Sequence, residues 1–433
     1  MRRSMRFLVA TAAVAVLVAG VSGCSTAKPA KAEKANLTML TFQTASITPA
    51  FWNDNIKTTL KSLPAGTTVK QIINPSLDRD TYAKTLEASG QFPDVLVSIT
   101  PNDYTAAGLL KPYPKSYLKE NFQFPDGAAD AKGNTYIAPS GGQILPWIYY
   151  NKAIFKKYGL TVPTTYADLV TDIKTLNAAN SGITPIEIDG AESWAAEFPL
   201  TAILSADVLS KKPNWIRDRY KNKVKFTDPD IVAAVQKQEN LIKLGAYSST
   251  ALSTDLATAD KDMIAGKAAM FMMGNWFSGS GYLTAAQAKQ FGVFLFPTDS
   301  GKKVMPLSVS GSLSVSAKSK NVDAAMKFAE VWSASAGPQR ALTSGDGDIP
   351  LFKKISLKQL GASVYPLFTQ GYGLVTDKSV QKVVPFGDAG GQDALIPAVN
   401  TAFSAMSQAL FTNSDVKSQL AKLDGLWDTS ASQ

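Results

Sequence analysis

Residues 263–276 read Met-Ile-Ala-Gly-Lys-Ala-Ala-Met-Phe-Met-Met-Gly-Asn-Trp. A helix is expected to end at Gly266, because glycine takes the left-handed conformation that closes helices. Ala268 to Met273 is wholly apolar, the pattern of a strand buried on both faces. Gly274 lets the backbone turn and lifts the following side chains out of the core. Asn275 and Trp276 are therefore expected side by side at the carboxyl end of a strand, where open α/β sheets present their ligands.

The same alternation of short apolar runs and helical patterns extends outward in both directions. Leu37–Phe42, Val69–Ile73 and Asp94–Ile99 read as strands. Gly133-Asn134, between Asp130 and Tyr136, reads as a hairpin turn. Tyr166, Leu169, Val170, Ile173 and Leu176 share one helical face, and Thr165 with Asp168 forms a capping box at its start. Asp228-Pro229 opens another helix, which Gly245 closes. Asn321 is expected to cap a third, whose Val322, Ala325, Met326 and Ala329 face the core. The pattern predicts an α/β fold. The chain has 433 residues, too many for one core, so more than one α/β unit is expected. No internal repeat is present.

The N-terminus reads as an export signal. Arg2, Arg3 and Arg6 precede an apolar run from Phe7 to Val18, which is shorter than the roughly 20 residues that span a bilayer. Val21-Ser22-Gly23-Cys24 follows, and Cys24 is the only cysteine in the chain. This segment resembles a bacterial lipobox, which implies that Cys24 is lipidated and becomes the mature N-terminus. Residues 1–23 are then the signal peptide and 24–35 a flexible, lipid-anchored tether. The formal charge is +9, but no basic block with interleaved aromatics appears, so a nucleic-acid partner is not expected. No second long apolar run follows the signal, so the body is expected to be soluble.

Much chemistry is excluded. The chain has no histidine, which removes Ser-His-Asp and Cys-His catalysis and the commonest metal ligand. Zinc-cysteine sites and phosphate-binding glycine motifs are also absent. Asp346-Gly347-Asp348 lacks the further spaced ligands of a calcium loop. Neither a metal nor a cofactor is expected. Composition leaves room for a glycosidase, since two of 35 acidic residues could face each other across a cleft. No spacing supports one.

What remains is a set of aromatic and amide residues at strand ends and loops: Trp147, Tyr149, Tyr150, Trp194, Asn275, Trp276, Phe386 and Gln392. Sugars have apolar C–H faces and a rim of hydroxyls, which suit aromatic planes flanked by amides and carboxylates. The plainer reading is that each tryptophan packs the core.

The order of segments resembles the bacterial extracellular solute-binding proteins of the maltose-binding type. Phe92-Pro93-Asp94-Val95 with Gly108-Leu109-Leu110 matches one family motif, and Lys132 to Pro139 matches another. Tyr149-Tyr150-Asn151-Lys152, Phe155, Tyr158-Gly159-Leu160 and Pro163-Thr164-Thr165 match a third. Met263 to Met270 before Gly274-Asn275-Trp276, and Lys320 to Phe328, complete the series.

The resemblance implies a periplasmic-binding-protein-like fold: two α/β lobes joined by a hinge that the chain crosses more than once, with a ligand cleft between them. One lobe is expected to hold residues 36–142 and 303–350, the other 143–302 and 351–433. The family's ligand contacts fall on Gln43, Thr44, Ser98, Asn102, Gln143, Glu192, Trp194, Asn275 and Trp276, with Gly345, Asp346, Asp388 and Gln392 on loops facing the same cleft. Ser98 stands where maltodextrin binders carry tryptophan, so the ligand need not be maltose.

The expected function is capture of a carbohydrate for the permease subunits of an ABC importer, without catalysis. The protein is expected to act as an exported monomer at the outer face of the cytoplasmic membrane. Alternatives are another polar solute on the same scaffold (a polyol, opine, polyamine or phosphodiester) or a secreted glycosidase.

Overall fold

The computed structural model describes residues 34–43, 47–75, 79–310, 313–360, 366–387, 391–412 and 415–431. Cys24 with the signal and most of the tether, and the site candidates Thr44 and Asp388, lie outside the described residues. Among the described residues the strands are, in chain order, β1 (Asn36–Thr41), β2 (Thr68–Ile73), β3 (Val95–Val97), β4 (Gly141–Ile144), β5 (Trp147–Asn151), β6 (Thr184–Glu187), β7 (Ala268–Met273), β8 (Phe291–Phe294), β9 (Val304–Ser310), β10 (Leu313–Val315), β11 (Ile349–Pro350) and β12 (Gln381–Val383). They form three sheets, ordered β10-β3-β1-β2, β11-β4-β9-β12 and β6-β7-β5-β8.

The first sheet belongs to the N-terminal lobe. β1 pairs in parallel with β2 and β3, and β10 runs antiparallel to β3. Alternate residues of its strands enter different cores. Leu37, Met39, Val95 and Val97 pack with Trp52 and Trp332 on one face, while Leu40 and Leu96 pack with Tyr104 and Leu110 on the other. A sheet buried on both faces leaves its functional groups to the strand ends.

The third sheet is the spine of the other lobe. β7 is buried at every position, and Gly266 before it has φ +72°, so both features read from the sequence hold. The helix Tyr166–Ala178 starts on a complete capping box, with Leu169, Ile173 and Leu176 buried. Pro229 opens the helix Pro229–Lys243, and Gly245 follows it with φ +74°. The helix Val322–Ala334 departs from expectation, because the side chain of Asn321 makes no capping hydrogen bond. The hairpin at Gly133-Asn134 is closed by Asp130 N–H donating to Asn134 O at 2.8 Å.

The middle sheet joins the lobes. β4 carries the chain from the first lobe towards β5, and its antiparallel partner β9 carries it back towards β10. β11 then pairs with β4. The expected boundary after residue 350 needs correction. Phe352, Ile355 and Leu360 pack in the first-lobe core. The reason is local pairing: Gln123 N–H donates to Leu351 O, and Lys353 N–H donates to Asn121 O, both at 2.8 Å. The chain therefore runs back along the first lobe before its helix Pro366–Thr376 packs against β8.

Candidate ligand-binding cleft

A cleft of about 700 Å³ opens between the lobes, lined by residues of both and by the middle sheet. On the first lobe, Trp52 donates its indole N–H to Phe42 O at 2.6 Å and stacks on Trp332 at 6.0 Å. The Arg79 guanidinium lies 4.5 Å from the centre of the Phe42 ring, and its Nε donates to Ser98 O at 2.9 Å. Ser98 directly follows β3 with φ +45°, a conformation a non-glycine residue holds only under constraint. That turn points the Ser98 carbonyl at Arg79.

The second-lobe wall is aromatic. Trp276 packs against Trp194 with ring centres 5.7 Å apart and against Phe198 at 6.1 Å. Trp194 is the most exposed tryptophan of this group, at 39 %. The glycine before the pair acts differently from the expectation. Gly274 has an ordinary φ of −68°. Its role is close approach: a Cβ there would lie 2.2 Å from the Trp276 ring. Tyr149 donates its hydroxyl to Gly274 O at 2.9 Å and holds the turn from beneath.

Behind the aromatic residues stands a polar group. Glu197 accepts a hydrogen bond from Ser404, and Asn400 lies one helical turn before Ser404. Burial pushes the Glu197 carboxyl up to about 7, with the Ser404 hydroxyl opposing the shift. Ser140, Gln143, Ser308 and Asp348 supply polar groups from the middle sheet and its edges.

Of the residues expected to contact ligand, the structure brings Ser98, Gln143, Trp194 and Trp276 to the cleft. Asn275 is a correction. It is fully buried, its Oδ1 accepts from Ile144 N–H at 2.7 Å, and its Nδ2 donates to Gly347 O at 2.7 Å. Its amide is thus committed to the hinge strand. Asn102 also works elsewhere, donating from Nδ2 to Gly391 O at 3.2 Å. Gln392 uses its backbone N–H on Ala129 O at 2.9 Å. Gly345 O accepts from Gly281 N–H at 3.0 Å. Asp346 ends the helix Ala336–Asp346. Gln43 is exposed beside Phe42. Glu192 sits by the buried Asp189, whose pKa its charge helps to raise. Asn102, Gln392, Gly345, Gln43 and Glu192 do not line the cleft. Trp147 and Tyr149 pack in the core, as the plainer reading had it, while Phe386 reaches the cleft.

Sequence reading missed Trp52, Arg79, Glu197, Phe198, Trp332, Asn400 and Ser404. One signal was available: Glu197, Thr201 and Leu204 follow Trp194 at helical spacing, so a site at Trp194 continues one turn on. Among the described residues, no group of three or more acidic side chains is placed to hold a metal ion.

Comparison with known proteins agrees with this geometry. The model of the family "bacterial extracellular solute-binding protein" matches residues 45–338. A probable sugar-binding periplasmic protein of Mesorhizobium japonicum is 24% identical over 281 residues, covering 62% of this chain and 64% of its own length. The multiple sugar-binding protein of Streptococcus mutans is 25% identical over 278 residues, covering 61% of this chain and 64% of its own. The match thus spans a little under two thirds of each relative. Among solved structures, a chitin oligosaccharide binding protein superposes with a TM-score of 0.72 at 19% identity, covering 92% of this chain and 99% of that one. At that identity the likeness concerns the fold: two α/β lobes with a hinge and a cleft between them.

Proposed function

The chain belongs to the bacterial extracellular solute-binding protein family, and from that premise we propose that it captures a sugar or oligosaccharide in the interlobe cleft for an ABC importer. The observation that supports this reading is the cleft itself. Trp194, Trp276 and Phe198 offer aromatic surface to C–H faces, and Gln143, Ser308, Asn400 and Glu197 offer polar groups to hydroxyls. The two relatives named above are described as sugar-binding. On this reading the protein binds its solute without transforming it, and what supports this is that the family is one of solute-binding proteins.

The same reading places it outside the cell as a monomer, tethered to the membrane by an acylated Cys24. The position of the only cysteine, directly after Ser22-Gly23, supports this. Among the described residues no helix is long and apolar enough to cross a membrane. Cys24→Ala is expected to move the protein from the membrane fraction to the soluble one.

The deciding experiment is a thermal-shift screen of D-galactose, raffinose, xylotriose and maltotriose against amino acids and polyamines. A solute that binds only the folded state raises Tm by mass action. At least one saccharide is expected to raise Tm; a response confined to amino acids or polyamines sinks the proposal.

A further inference from the structure

We infer that Glu197 and Asn400 form an acceptor pair that selects a neutral sugar by two adjacent hydroxyl donors, and disfavours rings carrying acetamido, phosphate or carboxylate groups at that edge. The inference rests on the proposed capture of a sugar and adds a specificity device to it.

The argument begins with what the two side chains lack. Glu197 is 8 % exposed, and its only hydrogen-bond partner among the described residues is the Ser404 hydroxyl. Among the described residues it makes no ion pair, and its second oxygen, Oε2, lies at the cleft wall beside Gly387. The Asn400 Oδ1 is buried and has no hydrogen-bond partner among the described residues. A buried acceptor without a donor is costly, so Asn400 Oδ1 is a group that a ligand donor would satisfy, and the Glu197 carboxyl faces the same cleft.

The two oxygens address the same space. A Cβ on Gly387 would stand 2.8 Å from Glu197 Oε2 and 3.8 Å from Asn400 Oδ1, so both flank one point beside the cleft. Gly387 has φ +83° and no side chain, which keeps that space open. All three residues line the cleft, next to Phe198, which packs against Trp276. A ring resting on the aromatic surface would turn its hydroxyl edge towards this pair.

Chemistry then narrows the class. The Asn400 amide oxygen accepts and does not donate, and so does the Glu197 carboxylate once pH exceeds the value of about 7 to which burial raises it, so the titrations are run at pH 8. Hydroxyls suit them. A carboxylate or phosphate on the ligand brings only acceptors, and an acetamido group replaces one hydroxyl of an adjacent pair with a bulkier substituent. Asp348, at the hinge side of the cleft, adds a further acceptor, while Arg79 faces from the opposite lobe. Glu197 is largely buried at the cleft wall, where a matched donor counts most.

The test uses D-galactose, raffinose, xylotriose and N,N′-diacetylchitobiose in calorimetric titrations, with melting curves of each variant. The unsubstituted saccharide that binds the parent protein best is expected to bind Glu197→Met about ten- to a hundredfold more weakly, as loss of a hydrogen bond to a charged group implies. Asn400→Leu is expected to act in the same direction. Asn400→Leu should melt no lower than the parent, because it replaces an unsatisfied buried acceptor by apolar bulk; Glu197→Met gives up the Ser404 hydrogen bond, so its melting curve is read beside that of Glu197→Gln. Diacetylchitobiose should bind the parent more weakly than that saccharide. Unchanged saccharide affinity in both variants overturns the acceptor pair while leaving sugar capture standing, as does tighter binding of diacetylchitobiose. A variant that loses affinity only together with Tm marks Glu197 as a structural link to Ser404; Glu197→Gln, which keeps that link, must then still lose affinity or the inference fails. Absence of binding by these four saccharides and by maltotriose to the parent overturns the proposed function itself, and this inference with it.

Discussion

Trp276 shows how a single residue answers to two neighbours. It rests over Gly274, and its ring meets Trp194 and Phe198 at the cleft. Trp276→Ala is expected to weaken saccharide binding about tenfold or more, since a stacked aromatic contributes about 0.5–1.5 kcal/mol beyond buried area and about 1.4 kcal/mol is one decade. Tm should change little; a core tryptophan would instead cost about 3–5 kcal/mol of stability. Unchanged affinity in titration removes Trp276 from the site. Gly274→Ala should reproduce part of this loss with Trp276 intact, because the new methyl displaces the ring; retained affinity would show that the ring's seat on Gly274 is unimportant. Trp276 was legible because strand, glycine and aromatic follow one another in the chain. Asn275 was misread for the same reason: adjacency predicted a shared direction, but successive side chains leave a turn on different sides. Its amide met the unpaired backbone groups of Ile144 and Gly347, which are 131 and 72 residues away. Glu197 and Asn400 stayed hidden because they meet only in the fold.

At the scale of elements, the carboxyl end of β6 is unusual. Glu187 ends this strand, Asp189 follows, and Glu192 and the helical Asp260 stand close enough to Asp189 for their charges to act on it. Burial pushes Glu187 and Asp260 up to about 7 and Asp189 up to about 8, with neighbouring negative charge adding to the shift at Asp189 and Glu187. A carboxyl whose folded pKa is raised binds its proton more tightly in the native state. Its contribution is complete below the unfolded value of about 4 and is lost as pH rises through the folded value. Tm is therefore expected to fall as pH rises from about 4 to about 8, and Asp189→Asn should flatten the fall between 7 and 8. An Asn variant with the parent's full pH slope would assign the effect elsewhere. The elements themselves were readable where local chemistry sets their ends, as at Thr165 with Asp168 and at Gly266 before β7. The middle sheet was not, because β4, β9 and β11 are distant in sequence and short, and their pairing is set by the lobes they connect.

For the whole molecule, contacts already span the cleft at two places. At the outer rim, Asn102 and Ala129 of the first lobe meet Gly391 and Gln392 of the second. Near the hinge, Ser280 and Gly281 donate backbone N–H groups to Ser344 O and Gly345 O, at 2.7 and 3.0 Å. These carbonyls lie in the last turn of the helix Ala336–Asp346, which packs on the first lobe, and take their donors from the other lobe. Small-angle scattering with a saturating saccharide is expected to give a smaller radius of gyration than without it, as the rim contacts form and break with hinge motion. Equal radii in both states would count against closure. The grip of Asn275 on Ile144 and Gly347 has a kinematic consequence. A point near an axle travels a short arc, whereas a point on the rim travels a long one. Trp276, next to Asn275, and Gln143, on β4, lie on the axle side; Asn102 and Gly391 lie on the side of the latch. An arriving solute would therefore first touch a surface that hardly changes shape, and its escape would be timed by the latch. Substitutions at the two ends should then leave different marks: those near Asn275 on how tightly the open form holds its first contact, those at Asn102 on how long a captured molecule stays.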